Sequence, residues 1–166
     1  MDAPSESPTR QYGLVPPEVA ATMSGLELLQ GMIAGRFPGP PIMQLIGFRL
    51  AEVEQGRAVF ESTPELRHYN PLGSVHGGYA AILLDSCMGC AVHTTLPKAT
   101  GYITLEFKVS FVRAITAETG PVRAEGKVLN SGRRAATAEG RLTDASGRLL
   151  AHATTTCLIF EAQAKA

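Results

Sequence analysis

The sequence lacks an excess of charge of either sign. Lys and Arg together number 15, Asp and Glu together number 15, and the formal net charge is therefore zero. Proteins that bind nucleic acid or an anionic membrane surface usually carry a basic excess or a basic patch. The balance predicts a protein that has no nucleic-acid partner.

Long apolar runs are also missing. No run reaches the roughly 18 residues that a helix needs to cross a bilayer. The first residues, MDAPSESPTRQYG, have neither the basic start nor the apolar core of a secretory signal. Together these absences predict a protein that is not exported and has no membrane partner.

Cysteine is scarce, with three residues that form no spaced framework, and this favours a reduced, cytoplasmic protein. Cys87 and Cys90 form a C-x-x-C pattern with His93 three residues later, and redox and metal sites share this pattern. Here it lies inside an apolar stretch, and no second pair of ligands is evident. We therefore expect buried packing cysteines, no metal and no cofactor.

The composition indicates one domain. The chain has 166 residues, of which 45% are hydrophobic, enough for a substantial core. Residues 1–17 are rich in Pro, Ser and Thr and predict a disordered tail. Residues 18–166 are expected to form a single domain that begins with an amphipathic helix over about residues 18–33.

The remaining pattern predicts an α+β fold with one central helix. Residues 47–63 alternate in polarity on both sides of Gln55-Gly56, which is typical of a hairpin. Residues 75–92 are apolar on nearly every side, as in a buried helix. Four strands follow, over residues 102–115, 121–130, 134–144 and 148–160, the last three as an antiparallel meander. A curved antiparallel sheet wrapped around the helix satisfies this order.

Two features of the predicted helix are unfavourable in a helix that is buried. Gly77 and Gly78 stand where a helix begins, and their unpaired N–H groups could hold a developing oxyanion on a substrate. They could equally serve close packing on the sheet. Asp85 lies in the apolar run ILLDS, where a carboxylate is costly to bury. It is either a catalytic base or nucleophile, or a structural residue satisfied by hydroxyls such as Ser86.

The spacing of these residues limits what one chain can do. Gly77 and Asp85 are eight residues apart, which is about 12 Å along a helix axis. One reacting carbonyl cannot contact both, since each contact requires about 3 Å. Either only one of them acts, or two copies of the chain share the site. A two-fold dimer with antiparallel central helices would bring Gly77 of one copy towards Asp85 of the other.

The segment HYNPLGSVHGGYAAILLDS resembles the motif of the hotdog-fold thioesterases of the phenylacetate-pathway type. That motif has an Asn, then His-Gly-Gly, then an Asp on the central helix. Similarity continues in PPIMQLIGFRL, in TLEFKVSFVRAI and in GRRAATAEGRLTDASGRLLAHATTTCLI. It covers about residues 38–160 and implies a hotdog fold, with a long helix wrapped by a curved antiparallel sheet.

The resemblance also implies roles for individual residues. Asp85 matches the nucleophile or general base of thioester hydrolysis, and the N–H of Gly77 matches the group that polarises the carbonyl across the dimer interface. Asn70 matches a residue that places the thioester or the water, and Thr104 matches a hydroxyl that orients water. His76 matches a residue that organises the loop. The family hydrolyses acyl-coenzyme A, often with phenylacetyl or medium-chain groups, as dimers or pairs of dimers and without a metal.

Three arginines are candidates for the coenzyme A phosphates. Arg113 ends the long predicted strand, and Arg133 and Arg134 follow Gly132 at a hairpin end. Guanidinium groups pair well with phosphate oxygens. The simpler interpretation is that all three are solvated turn charges.

Two other functions remain open from the sequence. The chain could be a hotdog module that binds acyl-CoA or an aromatic ligand without hydrolysing it. The segment FPGPPIM also resembles part of the hotdog dehydratases. Arg36 stands where their catalytic histidine would fall, however, and their helix glutamate has no clear counterpart.

Overall fold

A computed structural model describes residues 11–161 of the chain. The helices are α1 (Pro17–Ala20), α2 (Gly25–Ile33), α3 (Pro41–Ile46) and α4 (Gly77–His93), with 3-10 turns at Leu66–His68 and Ala117–Thr119. The strands are β1 (Phe48–Glu54), β2 (Arg57–Ser62), β3 (Thr100–Phe111), β4 (Val122–Ser131), β5 (Ala135–Asp144) and β6 (Leu149–Glu161). Within the described residues, no helix has both the length and the hydropathy needed to cross a membrane.

The six strands form one antiparallel sheet in the order β1-β2-β4-β5-β6-β3. The predicted hairpin turns at Gln55-Gly56, where Gly56 has the positive φ of 76° that favours glycine. The predicted meander is β4-β5-β6. One long helix with this curved antiparallel sheet confirms the predicted hotdog fold, and it leaves β1 and β3 as the edge strands.

Helix α4 lies directly on the sheet because two glycines face each other beneath it. Gly126 on β4 pairs with Gly140 on β5. A Cβ atom on Gly126 would collide with the backbone carbonyl of Cys87, and one on Gly140 would lie 2.9 Å from Cγ of Met88. This close approach buries Leu83, Leu84 and Met88 completely.

One side of α4 is less covered in the single chain. Its half-buried residues recur about every four positions, and we call them the open strip: Gly77, Gly78, Ala81, Ile82, Asp85, Ser86, Cys90 and His93. The edge strand β3 runs antiparallel to the helix, since Phe111 lies against Gly77 and Tyr102 lies against Gly89. Strand β3 therefore runs along the open strip.

The helix predicted over residues 18–33 is two helices. Ser24 begins α2, because its hydroxyl accepts the N–H of Glu27 (3.3 Å) and the Glu27 carboxylate accepts the N–H of Ser24 (2.8 Å). This reciprocal pair is a capping box, which fixes a helix start at Ser24 and so separates α2 from α1.

The long strand and the tail also differ from the prediction. Strand β3 ends at Phe111 rather than near residue 115, because the N–H groups of Val112 and Arg113 both donate to the carbonyl of Leu150 and the regular ladder stops. Residues 1–10 of the predicted tail lie outside the described residues. Tyr12 forms a bridge with Gly39, so the tail prediction fails for the segment that contains Tyr12.

Candidate active site

Asp85 lies in the middle of α4, on the open strip, and is half-buried in the single chain. The Thr104 hydroxyl donates a hydrogen bond of 3.0 Å to Oδ1 of Asp85. Oδ2 accepts no hydrogen bond from any residue between 11 and 161. The carboxylate is thus held at one oxygen and open at the other, a geometry suited to a base or a nucleophile.

The start of α4 is organised by His76. Its side-chain Nδ1 accepts the backbone N–H of Gly78 (2.8 Å), and the backbone N–H of His76 donates to the carbonyl of His68 (2.7 Å). The imidazole therefore caps the helix, and a role of His76 in catalysis stays a prediction. The N–H of Gly78 is already used, which corrects our expectation that both glycines present free donors to a substrate.

Gly77 presents the open donor. Its N–H has no acceptor among the described residues, and it lies in the first turn of a helix, where the partial charge is positive. A depression of about 330 Å³ surrounds it, lined by Val75, His76, Ala80 and residues 111–115. Gly77 can therefore donate to an oxygen that enters this depression.

Asn70 closes the loop before the helix. Its Oδ1 accepts the N–H groups of Leu72 (2.9 Å) and Ser74 (3.3 Å), and its Nδ2 donates to the Ser74 hydroxyl (3.1 Å). These bonds hold the segment that leads to His76. The contact of Asn70 with a thioester or water stays a prediction.

The three candidate arginines lie in two separate places. Arg113 lines the depression around Gly77 and donates a hydrogen bond of 2.6 Å to the carbonyl of Leu149. Arg133 and Arg134 line a separate cavity of about 580 Å³ with Thr95 and Leu96, just beyond the other end of α4. The two places lie at opposite ends of α4, because the hairpin β4-β5 ends near the C-terminus of the helix, and the contact of these arginines with phosphates stays a prediction.

Gly77 and Asp85 do not meet within one chain. Helix α4 is continuous from Gly77 to His93, and eight residues of helix separate the two groups by about 12 Å along the axis. Within a single copy, the open N–H and the open carboxylate oxygen therefore belong to different places.

Both cysteines of the C-x-x-C pattern lie on α4. Cys87 and Cys157 are buried, Cys90 is half-buried, and all three are free thiols. Burial raises the pKa of Cys90 to about 12 and that of Cys87 above its usual range. Thiols with raised pKa values are poor nucleophiles. Nowhere in residues 11–161 do three His, Cys, Asp or Glu side chains gather as metal ligands would.

Two residues near the site were absent from the sequence-based candidates. The ring of Phe111 lies against Gly77, and the hydroxyl of Tyr102 lies against Gly89. Strand alternation gave a signal for Tyr102, since it stands two residues before Thr104 and so shares its face.

The chain is similar to other proteins over the part that holds most of this site. A family model described as the thioesterase superfamily matches residues 72–151. A protein of Saccharolobus solfataricus inferred to be an esterase is 31% identical over 112 residues, which are 68% of this chain and 78% of that protein. This chain belongs to the thioesterase superfamily. Membership gives it a hydrolase role, with thioester hydrolysis as the general reaction.

Solved structures of similar fold support the membership. A phenylacetic acid degradation-related protein of Ralstonia eutropha is 28% identical, with a TM-score of 0.71, and the match covers 78% of this thioesterase-superfamily chain and 98% of the other. A mutant of the phenylacetic acid degradation protein PaaI from Thermus thermophilus is also 28% identical, with a TM-score of 0.64 and coverage of 71% and 97%. These findings confirm the family resemblance seen in the motif.

Proposed function

We propose that this protein hydrolyses acyl-CoA thioesters to the free acid and coenzyme A, at a site shared by two copies of the chain. One observation carries the proposal. Among residues 11–161, Thr104 holds the Asp85 carboxylate at one oxygen and nothing bonds the other, on a helix whose first turn presents an N–H of Gly77 that has no acceptor. The acyl group is an aryl-acetyl group, which the names of the phenylacetic acid degradation relatives suggest, or a medium-chain group, which the resemblance of the motif implies.

The proposed dimer pairs the edge strand β3 of each copy. One side of β3 has no neighbouring strand among the described residues, and it exposes the apolar side chains of Ile103, Leu105 and Phe107. Exposed apolar edges of this kind are usually covered by a partner. Two-fold pairing there would set the two open strips against each other, and a further pairing into a dimer of dimers remains compatible with the other surfaces.

In an antiparallel pair, Gly77 of one copy stands opposite Asp85 of the partner copy. The thioester carbonyl oxygen accepts the N–H of Gly77, whose position at a helix start favours developing negative charge. Asp85 then attacks the carbonyl carbon, or it takes a proton from a water that attacks. In both routes one water is consumed, the carbon–sulfur bond breaks, and the thiolate leaves with coenzyme A and is then protonated. The two routes differ in whether an acyl-aspartyl anhydride forms first.

The separated arginines fit one coenzyme A in this arrangement. Arg113 lies beside Gly77 of its own copy. The helix that supplies Asp85 continues about eight residues, or roughly 12 Å, beyond the reacting carbonyl, towards the cavity lined by its own Arg133 and Arg134. The phosphates of coenzyme A are far from its thiol, so we assign them to these guanidinium groups.

Three free cysteines, of which two are buried, are stable as thiols in a reducing compartment. We therefore place the activity in the cytoplasm.

The decisive experiment is an assay of free-thiol release from a panel of CoA thioesters, with the wild type beside Asp85→Asn. The substitution keeps the shape of the side chain and removes the base. We expect kcat to fall by at least about 10²-fold with an unchanged circular dichroism spectrum. If the wild type binds acyl-CoA but releases no thiol from any member of the panel, the protein is a binding module. Equal rates for the two proteins would make Asp85 structural.

A further inference from the structure

We propose that Tyr102, seated on Gly89, is the wall that limits the length of the acyl group beside Asp85. The inference rests on the proposed function, and it narrows the proposed acyl group to a single-ring aryl-acetyl group or a short chain, so that the longer medium chains are excluded. Tyr102 would be a specificity-determining residue that takes no part in the chemistry.

The position of Tyr102 follows from the alternation of β3. Tyr102, Ile103 and Thr104 pair in unbroken register with three successive residues of β6, so Tyr102 and Thr104 project to the same face. Thr104 reaches Asp85, whereas Ile103 projects to the other face and is exposed. Tyr102 thus lies next to the carboxylate, between β3 and α4.

Gly89 is what lets the ring enter this space. It follows Asp85 by four residues, one helical turn or about 6 Å along α4. A Cβ atom on Gly89 would lie 2.7 Å from the Tyr102 hydroxyl oxygen and 2.8 Å from a ring carbon. Any other residue at this position would displace the ring, so the tyrosine occupies the volume that a side chain at position 89 would otherwise take.

The ring is supported on its far side. Its centroid lies 5.5 Å from that of His93, and its hydroxyl lies against the thiol of Cys90. Burial, with the nearby Cys90 and Asp85, raises the pKa of Tyr102 well above its ordinary value, so the hydroxyl stays uncharged. The wall is therefore neutral and fixed between α4 and β3.

An acyl group has little room in the direction away from Tyr102, towards the two-fold axis of the proposed dimer. If Gly77 stands opposite Asp85 of the partner copy, the midpoint residue Ala81 faces its own counterpart across the two-fold axis. The space between the two sites is then closed by the partner helix. An acyl chain that turns from the carbonyl into the space between α4 and β3 meets, about one turn past Asp85, the half-buried ring of Tyr102, whereas coenzyme A leaves over the exposed surface towards Arg133 and Arg134.

The test is kcat/KM for straight-chain acyl-CoAs from butanoyl to dodecanoyl, measured for the wild type, Tyr102→Ala and Tyr102→Phe. Tyr102→Ala should raise the dodecanoyl-to-butanoyl ratio by at least about tenfold, because several methylene groups gain space. Tyr102→Phe keeps the ring and should leave the ratio unchanged. Tyr12→Ala, which removes an aromatic side chain near Gly39, controls for a general loss of packing.

The outcomes separate the two proposals. A wild type that hydrolyses no acyl-CoA overturns the proposed function. A wild type that is active, with a ratio unchanged in a folded Tyr102→Ala, overturns only the wall, as does a Tyr102→Phe that behaves like Tyr102→Ala. If Tyr102→Ala does not fold, Tyr102→Leu replaces it. It should raise the ratio by a smaller factor, and an unchanged ratio would again overturn the wall.

Discussion

Asp85 receives its orientation from one neighbour, the hydroxyl of Thr104. Because the hydroxyl donates to Oδ1, the carboxylate cannot turn freely, and the open Oδ2 has a defined direction. A hydrogen bond to an ionised group contributes about 1.5–3 kcal/mol. At the scale of single residues, this bond is what distinguishes a positioned carboxylate from one that is merely near the surface.

Replacing Thr104 by Val removes the donor and keeps the β-branched shape. If the bond acts mainly in the transition state, we expect kcat to fall by about 10-fold or more with KM little changed. Thr104→Ser retains a hydroxyl and should keep most of the activity. Steady-state kinetics of both variants on one acyl-CoA give the comparison. A Thr104→Val enzyme as fast as the wild type would show that Asp85 does not depend on this bond.

The position of helix α4 depends on two residues of the sheet beneath it that have no side chain. Gly126 and Gly140 form a direct cross-strand pair, and glycine in a strand often marks a close approach of another backbone. Their two contacts differ in kind: an added methyl group meets the backbone of Cys87 at one position and the flexible side chain of Met88 at the other. The helix therefore has more tolerance at Gly140 than at Gly126.

The two glycines should respond differently to the same substitution. Gly126→Ala must displace the helix backbone, and we expect it to lower the free energy of unfolding by about 3 kcal/mol or more. Gly140→Ala can be accommodated by a new Met88 rotamer, at a cost of about 1 kcal/mol. Urea unfolding of both variants checks this. Equal losses would mean that α4 is not held against β4 as described.

At the scale of the whole molecule, the sheet formed by residues 11–161 has one edge strand that is long and apolar, β3. Leu105 lies at a bulge in β3 and is 59% exposed. Leu129 likewise lies at a bulge in β4 and is 58% exposed. The two leucines are alike in exposure and local geometry, but only Leu105 belongs to the proposed dimer interface. They offer a matched pair for testing the assembly on which the shared site depends.

Leu105→Lys should bring two positive charges to the interface and weaken the dimer by at least about tenfold, with a parallel loss of hydrolysis at low protein concentration. Leu129→Lys should leave both properties unchanged. Sedimentation velocity over a concentration series, with activity measured on the same samples, tests the link. A Leu105→Lys protein that remains as dimeric as Leu129→Lys would move the interface away from β3.

The sequence by itself determined the features that depend on neighbouring residues. The apolar run predicted α4, alternation and turn glycines predicted the hairpin and the meander, and the stretch from Asn70 to Asp85 held the candidate site on one segment. The break before α2 was also readable, because Ser24 and Glu27 have the spacing of a capping box. It was missed because the apolar periodicity on both sides resembles one helix.

The tertiary structure alone decided which distant residues meet. Thr104 at Asp85, Tyr102 at Gly89 and the paired Gly126 and Gly140 beneath α4 all depend on strand register and on where the helix crosses the sheet. Register is a long-range property, since a shift of one residue turns every side chain of a strand to the other face. The separation of Arg113 from Arg133 has the same origin, because strand length and order, not local pattern, place each turn at one end of the helix.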